Sequence, residues 1–448
     1  MKPIYIELYE KLKYDIINNY QVGQKLPSIM QISNFYNVSK NSVINAISQL
    51  YAEGYIDSIA KKGYFVSNFN QELLEEKKEF KLTKPPPKKS YRFDFFPAKL
   101  DKELFPIKAF KRLQTKALNS SLDFANYSDA QGEIGLREEI AKYLNSSRAT
   151  KANIKNIVIT SGFIESLKLI AKLLKKDYSY FGMENPGYYI AKEIFKEYNY
   201  KIENIAIKKD GLDINSIKKA QIIYTTPSHQ YPTGAILPIS KRLELIKKIK
   251  AKNGFLIEDD YDSELKYYTR PIPSMQGLEP NQVIYFGTLS KALSPALRVS
   301  FLVLPNSILK LYKASYESHF CQVNLVTQKT LELFFKEGFY ERHLKKARTT
   351  YKQKHDLLKE LLEKYLKDSY KIVSQGGGLS ILIEPKVNMN LAKLDTLAKK
   401  NGIKLYFTKD VSSSKSQTIR LGFGGFSQDE LKEAIKELSK VWQQALKD

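Results

Sequence analysis

Residues 287–298 read GTLSKALSPALR. Lys291 follows two hydroxylated side chains, Thr288 and Ser290, at the end of the apolar run QVIYFGT (282–288), and Arg298 stands seven residues beyond it. A lysine amine at a strand end can form an imine with a carbonyl ligand, while hydroxyls and a planar guanidinium hold a phosphate beside it. Lys291 is the candidate catalytic amine, with Thr288, Ser290 and Arg298 as a candidate anion cup. Taken alone, the pattern also fits a solvated loop lysine, one of 62 in a chain whose 72 basic residues include ten Arg.

Other segments carry matching chemistry. VITSGFIESLKLIAKLL (158–174) reads as strand, Ser-Gly turn and helix, so the free amides around Gly162 and Phe163 face a strand end, a setting that binds anions. FLIEDDYDSEL (255–265) puts carboxylates directly after a buried strand. Asp259 there can keep a pyridinium nitrogen protonated, which lets the ring act as an electron sink. Read singly, it fits a helix-capping acid equally well. Tyr261 can reach a ring oxygen. MENPGYYIAKEIF (183–195) places Tyr188 after a Pro-Gly turn, where its ring can stack on a flat ligand. TTPSHQYPTGAILP (225–238) ends another strand in a polar turn, and in QTIRLGFGG Arg420 opens a late strand. A bidentate grip on a carboxylate is open to that arginine, with a surface ion pair as the other reading.

The elements that must position these residues form a pattern of their own. From Tyr91 onwards, NIVIT (156–160), QIIYTTP, GFLIEDD, QVIYFGT and RVSFLVLP (298–305) alternate with helical stretches. Continuous apolar strands between helices imply a mostly parallel sheet covered on both faces, with ligands at the carboxyl ends of its strands. From about residue 340 a long helix pattern leads to GGLSILIE and TIRLGF, a smaller α+β subdomain. Residues 69–90 are polar, end in Pro85, Pro86 and Pro87 before KKS, and read as a semi-rigid linker.

Residues 1–68 read differently. Tyr5, Leu8, Leu12, Tyr14 and Ile16 fall near one face of a first helix. Pro27 and Ser28 start a second, Asn37 and Ser39 mark a turn, and a third runs from Lys40 to Ala52. That order is a helix-turn-helix, which would offer Ser28 and, at the start of its last helix, Ser39, Lys40, Asn41 and Ser42 to DNA. Two short strands around Lys61-Lys62-Gly63 form a wing able to meet phosphate. A plain three-helix bundle with a hairpin shares the pattern.

Composition bounds the rest. The 448 residues exceed one ordinary domain, and no apolar run approaches the ~18 residues of a membrane helix. The amino-terminal stretch lacks a secretory apolar region, so a cytoplasmic location is expected. Cys321 is the single cysteine, and the four histidines show no HExxH spacing, so no metal site is expected. The formal charge of +24 is compatible with nucleic acid binding or with a general lysine bias. Residues 1–66 hold seven Lys against five acids, only +2 of that total.

LPSIMQISNFYNVSKNSVINAISQLYAEGYI resembles the winged helix-turn-helix of the GntR superfamily, with Lys40 where that pattern carries arginine. Lysine meets phosphate but lacks the bidentate fork for guanine. YSDAQGEIGLREEIAKYL (127–144), ENPGY, SHQYPTG, IEDDYDSEL, GTLSKALSPALR and IRLGF make residues 91–445 similar to fold-type I aminotransferases dependent on pyridoxal 5'-phosphate (PLP). The order of the two parts resembles MocR-type regulators. That resemblance implies PLP on Lys291, Asp259 at the pyridine nitrogen and Tyr261 at the ring hydroxyl. Arg298, Ser290, Thr288, Gly162 and Phe163 would form the phosphate cup, with Tyr188 stacked on the ring. Arg420 would take an effector carboxylate, and Tyr127 would reach the phosphate of the neighbouring subunit of a homodimer. Tyr231 replaces the aminotransferase asparagine before Pro-Thr-Gly, as in the regulator pattern, and Ser380 stands where histidine is usual. The implied function is a transcriptional regulator that senses an amino compound or PLP and reads paired half-sites on double-stranded DNA. A catalytically active aminotransferase, moving an amino group between an amino acid and a 2-oxo acid, is the alternative.

Overall fold

The computed structural model of the chain describes residues 3–69, 90–269, 272–316, 319–374, 377–386, 389–408 and 418–446. The chain divides into two compact units, 1–88 and 89–448. Of the expected linker, only Phe69 and Ser90 fall among the described residues.

The first unit holds α1 (Ile4–Asn19), α2 (Ile29–Tyr36), α3 (Lys40–Ala52), β1 (Ile56–Ile59) and β2 (Gly63–Val66). Ser28 begins α2 with a capping box to Gln31, and Ser39 caps α3 through the Ser42 amide, each satisfying amides that a helix start leaves open. Between them Asn37 takes a left-handed conformation that ends α2. Leu8, Leu12 and Ile16 recur every four residues and bury against Val43, Ala46, Ile47 and Leu50 of α3. Tyr14, expected on that face, is exposed, because two positions from Leu12 is about 200° around a helix. β1 and β2 pair antiparallel, and Lys61 adopts positive φ at their turn.

In the second unit, after the short β3 (Phe93–Asp94), one sheet gathers eight strands: β4 (Ile157–Thr160), β5 (Tyr180–Asn185), β6 (Lys201–Lys208), β7 (Gly211–Leu212), β8 (Ile222–Thr225), β9 (Phe255–Asp260), β10 (Val283–Thr288) and β11 (Ser300–Val303). Their order is β4-β11-β10-β9-β8-β5-β6-β7. The five from β10 to β6 are mutually parallel, while β11 and β7 run the other way. Successive residues feed opposite cores: Ile284 and Phe286 join one cluster, Val283 and Tyr285 clusters on the other face. Helices bury both faces, which is why these strands read as unbroken apolar runs.

A smaller antiparallel sheet combines β12 (Tyr370–Ser374), β13 (Ser380–Pro385), β15 (Tyr406–Thr408) and β16 (Thr418–Gly422), in the order β12-β13-β16-β15, while β14 (Ile403–Lys404) pairs with β3. Its core includes Trp442 and Leu358 from the flanking helices, and also Phe93, Phe95 and Leu104. The segment before residue 105 therefore packs with the carboxyl-terminal subdomain, although it precedes the large sheet in the chain.

Candidate functional site

Because β5, β8, β9 and β10 are parallel, Asn185, Thr225, Asp260 and Thr288 end at one edge of the sheet. β4 joins them, since two antiparallel steps through β11 restore its direction. The loops leaving these ends carry most of the residues singled out from sequence.

Lys291 Nζ lies 4.2 Å from the centroid of the Tyr261 ring. Burial pushes its pKa down to about 8, with Asp262 and Asp259 pulling it up and Arg420 pressing it down. Asp259, only 4% exposed, has its pKa pushed up to about 8 by burial, against a hydrogen bond donated to its Oδ2 by the Tyr224 hydroxyl. Its Oδ1 is buried with no hydrogen-bond partner among the described residues. A lone buried carboxylate oxygen is costly, and a protonated ring nitrogen would satisfy it. Burial works against ionised Asp262 too, but there the hydrogen bond and charge of His229, 2.7 Å away, prevail and hold it at about 2. The Tyr261 hydroxyl donates to the His229 carbonyl at 3.0 Å.

An anion cradle sits beside the amine. Gly162, at φ +105°, leads into the helix Phe163–Leu174, whose start no side chain caps. A Cβ on Gly162 would overlap the Arg298 guanidinium, which donates to the Ser161 carbonyl at 3.4 Å. Thr288 Oγ1 donates to Ser290 Oγ at 3.0 Å and accepts from the Ser290 amide at 3.1 Å. Open helix amides, two hydroxyls and a guanidinium around a side-chain-free turn match a phosphate.

Tyr188 lies edge-on to Phe163 at 5.2 Å and to Tyr231 at 5.4 Å, and burial pushes its pKa up to about 12. Arg420, on β16, reaches the same cluster and lies over the Tyr231 ring at 4.4 Å. Tyr127 makes a different contact: 78% exposed, it stacks on Phe320 with centroids 4.1 Å apart. The structure adds Tyr224 on Asp259, and His229 with Asp262, to the group, and brings Tyr231 and Ser380, noted from sequence, against Arg420. All lie within the sequence motifs quoted above, yet only the fold shows which side chains they meet.

In the first unit Lys40, Asn41, Lys61 and Lys62 are exposed and Ser42 is half-buried. Ser28 and Ser39 are exposed too, with hydroxyl oxygens engaged as caps. The start of α3 and the wing tip thus present the side chains expected to meet DNA.

Residues 98–438 match the family Aminotransferase class I and II, and residues 4–66 match the bacterial regulatory proteins of the gntR family. The uncharacterized HTH-type transcriptional regulator YdeL of Bacillus subtilis is 32% identical over 98% of this chain and 97% of its own length. The probable rhizopine catabolism regulatory protein MocR of Rhizobium meliloti is 26% identical, over 98% and 94% respectively. This chain belongs to the MocR-type regulators. Another relative of this MocR-type chain, the HTH-type pyridoxine biosynthesis transcriptional regulator PdxR of Corynebacterium glutamicum, is 27% identical over 93% of this chain and 91% of its own. A Pyrococcus horikoshii kynurenine aminotransferase superposes with a TM-score of 0.72, covering 84% of this chain and 98% of that one, at 23% identity, a likeness of fold. The aminotransferase family is PLP-dependent. The MocR-type site fits that group through the unpartnered Asp259 oxygen, the Gly162–Arg298 cradle and the Lys291 amine. No described helix is long and apolar enough to cross a membrane.

Proposed function

We propose that this regulator holds PLP at Lys291 and senses an amino compound, or PLP itself, through that site. The observation that carries the reading is the pairing of a buried, unpartnered Asp259 Oδ1 with a lysine whose pKa lies near 8. Bound PLP supplies an aldehyde carbon that accepts amines and a ring that withdraws electrons. Burial of Lys291 raises the neutral, nucleophilic share of its amine near physiological pH above that of an exposed lysine. Asp259 holds a proton at the ring nitrogen, Tyr188 covers the ring face, and Thr288, Ser290, Arg298 and the Gly162–Phe163 amides hold the phosphate. Arg420 takes a ligand carboxylate.

The winged unit would bind double-stranded DNA through the Lys40–Ser42 helix start and the Lys61-Lys62 wing. A homodimer, with Tyr127 reaching the phosphate of the neighbouring subunit, would read paired half-sites whose spacing matches the dimer. A ligand changes DNA affinity only by binding one state more tightly than another, with typical couplings of about 1–3 kcal/mol. Purified protein with added PLP should absorb in the visible, and Lys291→Ala should not. A wild type that stays colourless with PLP rejects the reading. The intact set of Lys291, Asp259 and Arg420 keeps one rival, a working aminotransferase. Turnover on the order of 1 per second or more, without salt-sensitive DNA binding, would favour it.

A further inference from the structure

Arg420 is 9% exposed and forms no ion pair among the described residues. Two contacts fix its guanidinium. Nε donates to Ser380 Oγ at 2.9 Å, from the neighbouring strand β13, and Cζ lies over the Tyr231 ring, 4.4 Å from its centroid. Tyr231 is itself wedged, edge-on to Tyr188 at 5.4 Å and to Tyr261 at 6.3 Å. Nη1 remains buried with no partner among the described residues. An unsatisfied charged donor in a buried site is costly unless a ligand completes it. With Nε engaged, a carboxylate cannot dock side-on across Nε and Nη, so the open face of the group is its Nη end.

We infer that Ser380 and Tyr231 are positioning residues for Arg420, and that they aim its Nη end at the carboxylate of an amino acid effector. The inference rests on the sensor reading given above and deepens it. The position Tyr231 holds is filled by asparagine in the aminotransferase motif, which has no ring face to offer a guanidinium. The position Ser380 holds supplies a small acceptor that reaches Nε without filling the pocket.

The test is a comparison of two ligands on the full-length protein. Binding of the twenty amino acids is measured by calorimetry, with and without added PLP, and the visible band is recorded in parallel. The tightest amino acid is then compared with the amine lacking its carboxylate. The wild type should prefer the amino acid by roughly 30-fold or more. Tyr231→Leu and Ser380→Ala should each cut that preference by roughly 5- to 10-fold, while Tyr231→Phe and Ser380→Thr keep it within about 2-fold. A preference unchanged in Tyr231→Leu and Ser380→Ala overturns the inference, even if both affinities fall together, since a merely structural role would move both ligands alike. So does a wild type that binds no amino acid. Failure of the visible band to appear in the wild type after PLP is added is a separate result and overturns the cofactor reading instead.

Discussion

In the winged unit the candidate contact residues lie between Ser28 and Lys62, at or near the surface, on elements that local capping explains. In the large unit the candidate residues run from Tyr127 to Arg420; most meet because parallel strands end at one edge, Arg420 joins them from β16 of the smaller sheet, and Tyr127 stays exposed against Phe320. The electrostatics differ in the same way. Lys40, Lys61 and Lys62 are solvated charges that should act almost independently. Lys291, Asp259 and Asp262 shift one another's protonation inside a buried cluster, and the charge of Arg420 presses that of Lys291 down. The difference teaches that substitutions in the first region should add, while those in the second should couple.

The contrast breaks most sharply at the anion cradle. Gly162→Ala forces a side chain into positive φ and onto the Arg298 guanidinium. It should weaken PLP binding by roughly 10- to 100-fold, read as a titration of the visible band, with DNA binding of the PLP-free protein unchanged. The buried cluster also predicts a pH effect. In the PLP-free chain Asp259 keeps its proton to about pH 8, while the unfolded chain releases it near pH ~4. The folded state thus binds more protons between those values, and stability should fall as pH rises from about 4 to about 8. Asp259→Asn should remove its share of that slope in thermal denaturation series.

Smaller effects belong to the winged unit. Ser39→Ala removes the α3 cap and should cost about 1 kcal/mol of that unit's stability, leaving PLP binding untouched. Lys40→Gln should reduce the salt dependence of DNA binding by about one unit of slope. Combining Lys40→Gln on α3 with Lys62→Gln on the wing should give the sum of the single effects on that slope, whereas the effects of Asp259→Asn and Arg420→Met on ligand binding should not add.

Legibility in the sequence follows the same division. Caps at Ser28 and Ser39 and the five apolar strand runs are local signals, and each corresponds to an element of the structure. β6 offers no comparable apolar run: its pattern, KIENIAIK, buries only Ile205 and lies beside the short edge strand β7. Phe93 and Phe95 sit in the carboxyl-terminal core through pairing of β3 with β14, a contact across some 300 residues that no local pattern announces. Within the site, Lys291, Asp259 and Arg420 stood out by type and place. Tyr224 under Asp259, His229 on Asp262 and Ser380 on Arg420 are partners chosen by strand register, which spacing within one motif does not encode.

The central claim is that the Lys291 site governs DNA binding. It is tested most directly by titrating the protein against the DNA upstream of its own gene, with and without PLP and with each amino acid that binds, in wild type and Lys291→Ala. The account predicts a ligand-dependent change in wild-type affinity of roughly 5- to 150-fold that Lys291→Ala lacks. A wild type that shows the visible band yet binds DNA identically in every condition, or a Lys291→Ala protein with the same response, would contradict it.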